Sequence, residues 1–107
     1  MQKLLIGIDV GTSACKAAVF KLDGQVLAQA SQPYKVYYPA PGFAEQDPDE
    51  WWSCVCLAMQ SLMQSNQIRK EQITGIGIDG QSWSAIPVDR SGKVLHNTPI
   101  WLDTRSA

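Results

Sequence analysis

One stretch constrains the fold of this chain more than any other: Leu4-Leu5-Ile6-Gly7-Ile8-Asp9-Val10-Gly11-Thr12-Ser13-Ala14-Cys15-Lys16. An apolar run of strand length drives into a carboxylate and turns at Gly-Thr-Ser. A lysine then opens a second apolar run through Ala17, Ala18, Val19 and Phe20. The pattern predicts strand, tight turn, strand. Gly11 lets the backbone turn sharply and lie close to a ligand. Thr12 and Ser13 offer hydroxyls and backbone N–H groups, the donors a phosphate needs. Asp9 is expected at the end of a buried strand, where a carboxylate is costly unless a metal, water or a donor receives it. Lys16 adds a positive charge. Carboxylate, hydroxyl turn and lysine together suggest a site for a metal-bound nucleotide phosphate. The stretch matches neither G-x-x-x-x-G-K-[ST] nor G-x-G-x-x-G, which set phosphate at a helix N-terminus. An ordinary hairpin with a capped turn carries the same residues, so spacing alone leaves both readings open.

The remaining chain reads as an α/β pattern. Leu22-Asp23-Gly24-Gln25 predicts a hairpin with a two-residue Asp-Gly turn. Val26, Ala28 and Ala30 are expected on one face of a third strand, completing an antiparallel meander from Leu4 to about Ser31. Residues 32–46 hold Pro33, Pro39, Pro41 and Gly42 with Tyr34, Tyr37 and Tyr38 between them. These aromatics tack an ordered loop to a core, or stack on a sugar ring. Asp47-Pro48-Asp49-Glu50 predicts a helix start, with Asp47 at the N-cap, Pro48 at N1 and Glu50 closing a capping box. The helix is expected to run to about Ser65 and lead out through Asn66 and Gln67. Its apolar face combines Trp51, Val55, Ala58 and Leu62 with Trp52, Cys56, Met59 and Met63, as on a helix packed on a sheet. Ile73 to Gly80 is the next strand. Strand, long helix, strand implies a right-handed crossover and parallel pairing with an earlier strand. Ser84 to Val88 predicts a short strand that Pro87 confines to an edge or an irregular position. Asp89 to Gly92 is a turn from which Lys93 to Leu95 returns, and His96 reads as surface.

A chain of 107 residues suffices for one domain but is small for a two-substrate enzyme. Its net charge of −1 gives no electrostatic case for nucleic acid or an anionic membrane. Its apolar runs fall short of the ~20 residues that span a bilayer. The N-terminus lacks the pattern of a signal peptide, so a cytoplasmic location is expected. Cys15, Cys54 and Cys56 form no C-x-x-C pair and read as reduced core thiols.

A local echo adds to the site. Ile6-Gly7-Ile8-Asp9 and Ile76-Gly77-Ile78-Asp79 are the same four residues. In each, Gly and Asp share one strand face. Ligands in open α/β sheets bind beyond the carboxyl ends of the strands. Parallel neighbours would therefore open Asp9 and Asp79 into one crevice beside Gln81, Ser82 and Trp83. A shared metal-phosphate or polyol site follows as an expectation, which fails if the carboxylates lie on opposite faces.

The Gly-Ile-Asp-Val-Gly-Thr-Ser-x-x-Lys stretch resembles the first phosphate motif of the actin-like ATPase superfamily. Gly42-Phe43-Ala44-Glu45-Gln46-Asp47-Pro48, Trp51-Trp52, Gly77-Ile78-Asp79-Gly80-Gln81 and Pro99-Ile100-Trp101-x-Asp103-x-Arg105 narrow this to a resemblance to the FGGY carbohydrate kinases, xylulokinase-like members above all. The likeness spans nearly the whole chain but only the start of such an enzyme. It implies that residues 1–107 form the N-terminal part of a first, sugar-binding, RNase H-like domain, with a mixed sheet of three-strand meander plus parallel crossover strand. It also implies ATP-dependent phosphorylation of a sugar hydroxyl, a ketopentose such as xylulose first, with ATP and Mg²⁺ as cofactors and a small sugar or polyol as partner.

Carried over by motif, Gly11, Thr12, Ser13 and Lys16 would approach the ATP phosphates, and Asp9 would hold Mg²⁺ through water. Gln81, Ser82 and Trp83 fall in one sugar-contacting segment, and Trp101, Asp103 and Arg105 in another. Asp79 is a further candidate. Ser82-Trp83 stands where xylulokinases show Met-His and glycerol kinases Arg-Glu. Asp79 replaces a small neutral residue, and Leu102 an Asn. These departures leave the sugar open. The family's catalytic base and ATP-covering second domain would lie beyond residue 107, so the isolated piece is expected to be inactive. An apolar face left uncovered by such a truncation would favour a homo-oligomer. Two other readings stand beside the enzyme: a sugar-sensing domain that binds without transfer, and an actin- or chaperone-like ATP switch.

Overall fold

The computed structural model describes residues 1–65 and 68–107. The expected lead-out at Asn66 and Gln67 lies outside the described residues. Alternation builds the first strand, β1 (Leu4–Val10). Leu4, Ile6 and Ile8 are buried, and Leu5 and Asp9 face out. It pairs antiparallel with β2 (Ala14–Lys21), whose Cys15, Ala17 and Val19 join the same core. β2 pairs antiparallel with β3 (Val26–Pro33). The helix α1 (Pro48–Ser65) then crosses to β5 (Ile73–Gly80), which runs parallel to β1. The sheet order is β3-β2-β1-β5. This is the expected α/β arrangement of meander plus parallel crossover strand. α1 lies over β2 and β3 and the margin of β1, and seals its core with Ala58 and Leu62.

A second, smaller sheet lay beyond sequence reading. β4 (Glu45–Gln46) pairs antiparallel with β6 (Thr98–Pro99). Buried Ala44, Gln46, Thr98 and Ile100 fill the space around it. Ile100 N–H donates to the Ala44 carbonyl at 3.0 Å and Thr104 N–H to that of Gly42 at 2.8 Å. The proline-rich excursion and the C-terminal segment are thereby one layer.

Several local expectations are corrected. The β2–β3 loop has three residues, Leu22 to Gly24, closed by Lys21 N–H to the Gln25 carbonyl at 2.9 Å. Only Gly24 is left-handed there, with φ of 92°, as a turn followed by a bulge requires. A second bulge shifts the register so that Val26 opposes Phe20 while Ala28 opposes Val19. Val26 therefore leaves the face of Ala28 and Ala30 and is 47% exposed. Asp47 caps α1, its Oδ1 accepting from Asp49 N–H at 2.9 Å. Glu50 does not close the box but accepts from the Tyr37 hydroxyl. Trp52 sits about 100° round the helix from Trp51 and is exposed rather than core, whereas Trp51 is half-buried and donates to Gln46. Cys15 is buried, whereas the free thiols Cys54 and Cys56 are half-buried on α1. Residues 84–88 form no strand. Pro87 lacks an N–H, and a lone antiparallel bridge joins Val88 to Val94. His96 is exposed as expected.

Candidate functional site

The register of the sheet aligns four side chains across four strands on the face away from α1. Ser31 neighbours Lys16, Lys16 neighbours Asp9, and Asp9 neighbours Asp79. In-register strands lie about 4.8 Å apart, so the two carboxylates share one face and one groove, floored by Gly7, Ala18, Phe20 and Gly77. Asp9 is exposed, so the desolvation cost expected at a strand end does not arise. Gly11 is not left-handed. Its lack of a side chain keeps open the space beside the Ala14 carbonyl, 3.3 Å from where a Cβ would stand, and the Asp9 carboxylate at 4.0 Å. Tyr34 braces the turn from beneath, its hydroxyl donating to the Gly11 carbonyl and, at 3.1 Å, reaching that of Ala14. Burial, then Cys15 and Asp9, pushes its phenol above the ordinary tyrosine range.

A second concavity continues past Asp9 and is lined by Gly11, Thr12, Gln81, Ser82, Trp83 and Trp101. Gln81 is pinned by its N–H to the Val10 carbonyl at 2.9 Å. Trp83 is 90% exposed at the rim and takes φ of 70°, a rare conformation for a bulky residue. The Trp101 indole donates to Thr12 Oγ1 at 2.8 Å. Thus the turn, the whole first sugar-type segment and Trp101 of the second meet in space, although up to 89 positions separate them in sequence.

Asp103 and Arg105 do not line this concavity. The Asp103 side chain is 6% exposed. It accepts from Ala44 N–H at 2.8 Å and from Arg105 Nε at 2.9 Å. The Arg105 guanidinium, bound to it by hydrogen bonds, holds its carboxyl at about 2. Arg105 also reaches Glu45 at 2.6 Å and stacks 3.8 Å over Phe43. The pair clamps the C-terminal segment to the loop before β4. Ser13 is exposed at the turn, outside both linings.

Gln46 is the residue sequence reasoning missed. It is 1% exposed. Its Nε2 donates to the Thr12 carbonyl at 2.6 Å. Its Oε1 accepts from Trp51 Nε1 at 3.0 Å and from Gln81 Nε2 at 2.6 Å. An uncharged polar residue between Glu45 and a helix cap was the available signal, because a buried amide needs partners.

The donor set suits a phosphate with a hard cation. The groove offers two carboxylates, a hydroxyl and a lysine, and the turn beside it adds Thr12. Among the described residues, no three of His, Cys, Asp and Glu gather to cage a metal. Two exposed carboxylates, Asp9 and Asp79, fit Mg²⁺, which keeps several waters, takes one or two carboxylates and is held in part by phosphate.

The model of the FGGY family of carbohydrate kinases, N-terminal domain, matches residues 4–107. A glycerol kinase of Petrotoga mobilis is 36% identical over 108 residues, covering 100% of this chain and 22% of its own. A xylulose kinase of Staphylococcus epidermidis is 34% identical over 107 residues, again 100% of this chain and 22% of its own. The crystal structure of xylulose kinase from Rhodospirillum rubrum superposes with a TM-score of 0.88 at 30% identity, over 96% of this chain and 21% of that one. The chain spans about a fifth of the length of these relatives. Among the described residues, no helix is long and apolar enough to cross a membrane.

Proposed function

Because this chain belongs to the FGGY family of carbohydrate kinases, we propose that it is the N-terminal part of the first, sugar-binding domain of an ATP-dependent kinase. Its acceptor is a small sugar or polyol, a ketopentose such as xylulose first. Glycerol is the second reading, favoured by the Petrotoga mobilis relative. The reading rests on one observation above all: the Gly11-Thr12 turn and the Gln81, Ser82, Trp83 and Trp101 side chains share one concavity, with Asp9 at its border.

In this reading Thr12, Ser13 and Lys16 receive the phosphates, Lys16 adding positive charge beside the turn. Asp9 holds the waters of a Mg²⁺ ion, whose charge would neutralise the transferring phosphoryl group. Trp83 and Trp101 offer flat apolar faces to the carbon skeleton, and Gln81 and Ser82 offer hydrogen bonds to its hydroxyls. Asp79 is placed to extend this set. Asp103 and Arg105 act indirectly, by seating Trp101. The general base and the nucleotide-covering domain belong to the rest of the protein, so residues 1–107 alone are expected to turn nothing over. The proposed compartment is the cytoplasm, where ATP is the phosphoryl donor.

The test is ADP release by the complete protein with ATP and Mg²⁺ across ketopentoses, ketohexoses, polyols and aldonates. One acceptor should stand out, and Asp9→Ala should lower kcat by at least about 100-fold, as losing a group that stabilises transition-state charge does, without changing the fold. Sugar binding with no ADP release would reassign the protein as a sensor. Hydrolysis indifferent to sugar would reassign it as a nucleotide switch.

A further inference from the structure

The buried amide network gives the two halves of the site a shared proton. The Trp51 indole can only donate, so it fixes Gln46 with Oε1 towards Trp51 and Nε2 towards the Thr12 carbonyl. Gln46 Oε1 also accepts from Gln81 Nε2, which fixes the Gln81 amide in turn, with its own Oε1 facing Thr12. The Thr12 hydroxyl accepts from Trp101 and donates its one proton to Gln81 Oε1, at a long 3.3 Å. A hydroxyl has a single proton to give. A phosphate oxygen at the turn and the Gln81 carbonyl therefore compete for it.

We propose that this competition couples the nucleotide and sugar sites, with Gln46 as the positioning residue. When a phosphate takes the Thr12 proton, Gln81 Oε1 is left as an unsatisfied acceptor facing the concavity, ready for a substrate hydroxyl. Without phosphate, Thr12 occupies that acceptor. Gln46, at 2.6 Å, and the Gly11 carbonyl, at a longer 3.3 Å, both accept from Gln81 Nε2 and prevent its amide from flipping to escape the exchange. Each ligand thus tightens the other by the same factor, as linkage requires. The inference rests on the kinase reading above and adds to it a direction of coupling and the residues that carry it.

The test is calorimetric titration of the complete protein with D-xylulose and with glycerol, each with and without saturating AMP-PNP and Mg²⁺. The expected result is a polyol Kd at least about fivefold lower with nucleotide present, the lower end of typical coupling. Thr12→Ser, which keeps the hydroxyl, should preserve the ratio. Thr12→Val, which also loses the Trp101 hydrogen bond, should bring the ratio to about one whatever it does to the polyol Kd itself, with AMP-PNP saturation of the variant checked by direct titration. Gln46→Ala removes the shorter of the two anchors on the Gln81 amide, leaving the Gly11 carbonyl, and should lower the ratio towards one. A merely structural role for Gln46 would lower the thermal midpoint and leave the ratio intact. Should Gln46→Ala fail to fold, the isosteric Thr12→Val decides alone. A ratio of one in the natural protein, or one that persists in Thr12→Val, overturns the coupling while the kinase reading stands. Absence of ADP release with every acceptor overturns that reading, and the coupling with it.

Discussion

Asp103 carries a carboxylate that the motif offers to a sugar and the fold commits to Arg105 and Ala44. Hydrogen bonds from the Arg105 guanidinium hold its carboxyl at about 2, below the ordinary aspartate range. A depressed carboxyl contributes stability that is complete above its unfolded value and fades as pH falls through the folded one. Asp103→Asn should therefore lower the thermal midpoint at pH 7. The gap between variant and natural protein should close as pH drops from about 4 to about 2, those two values marking the window. A gap independent of pH would mean that the charge on Asp103 holds nothing. The residue types of the site were legible in sequence because chemistry depends on type and spacing. Their partners were not, since the clamp joins positions 59 apart and the Gln46–Gln81 contact positions 35 apart. No local period encodes such distances.

The elements show the same division. β1, β2 and α1 each bury a periodic face, and β5 carries the same isoleucine alternation as β1, so their patterns stand out and the meander with its parallel crossover is legible directly. β4 and β6 are two residues each, too short for any period, and exist because tertiary pairing places them. The bulge opposite Phe20 depends on pairing in the same way, so alternation alone puts Val26 on the face of Ala28 while the register puts it on the other. The β1–β5 junction offers a test at this scale. A Cβ on Gly80 would stand 2.8 Å from the Val10 carbonyl oxygen, backbone that cannot swing aside. Gly80→Ala should cost about 1–3 kcal/mol, the usual range for overpacking, and should displace Gln81, whose N–H bonds that same carbonyl. Polyol affinity should then fall more than nucleotide affinity. Gly77→Ala is the control, since nothing lies within 4 Å of its Cβ. Urea midpoints and the two Kd values decide, and equal effects of the two substitutions would refute the argument.

At the scale of the molecule, α1 leaves part of the sheet bare. The radius of gyration is 16.2 Å, against about 13 Å for a compact domain of this length. Ile76 and Ile78 sit in register with the buried Ile6 and Ile8 yet are 57% and 75% exposed, because α1 packs chiefly on β2 and β3. The outer edge of β5 has no strand partner among the described residues. An open edge beside bare isoleucines is a template for pairing. Residues 1–107 expressed alone should therefore associate with rising concentration, a second copy covering β5. Sedimentation velocity should show it, and Ile76→Lys with Ile78→Lys should return the chain to monomer by charging the strip. In the complete protein, the proposed remainder of the domain covers this strip. The same pair of lysines should there destabilise rather than solubilise, since it would bury two charges without partners. A 1–107 chain that stays monomeric at every concentration would show that the bare strip is too small to drive pairing. Lysines harmless in the complete protein would show that the strip faces water there too, and would place the rest of the domain elsewhere on the sheet.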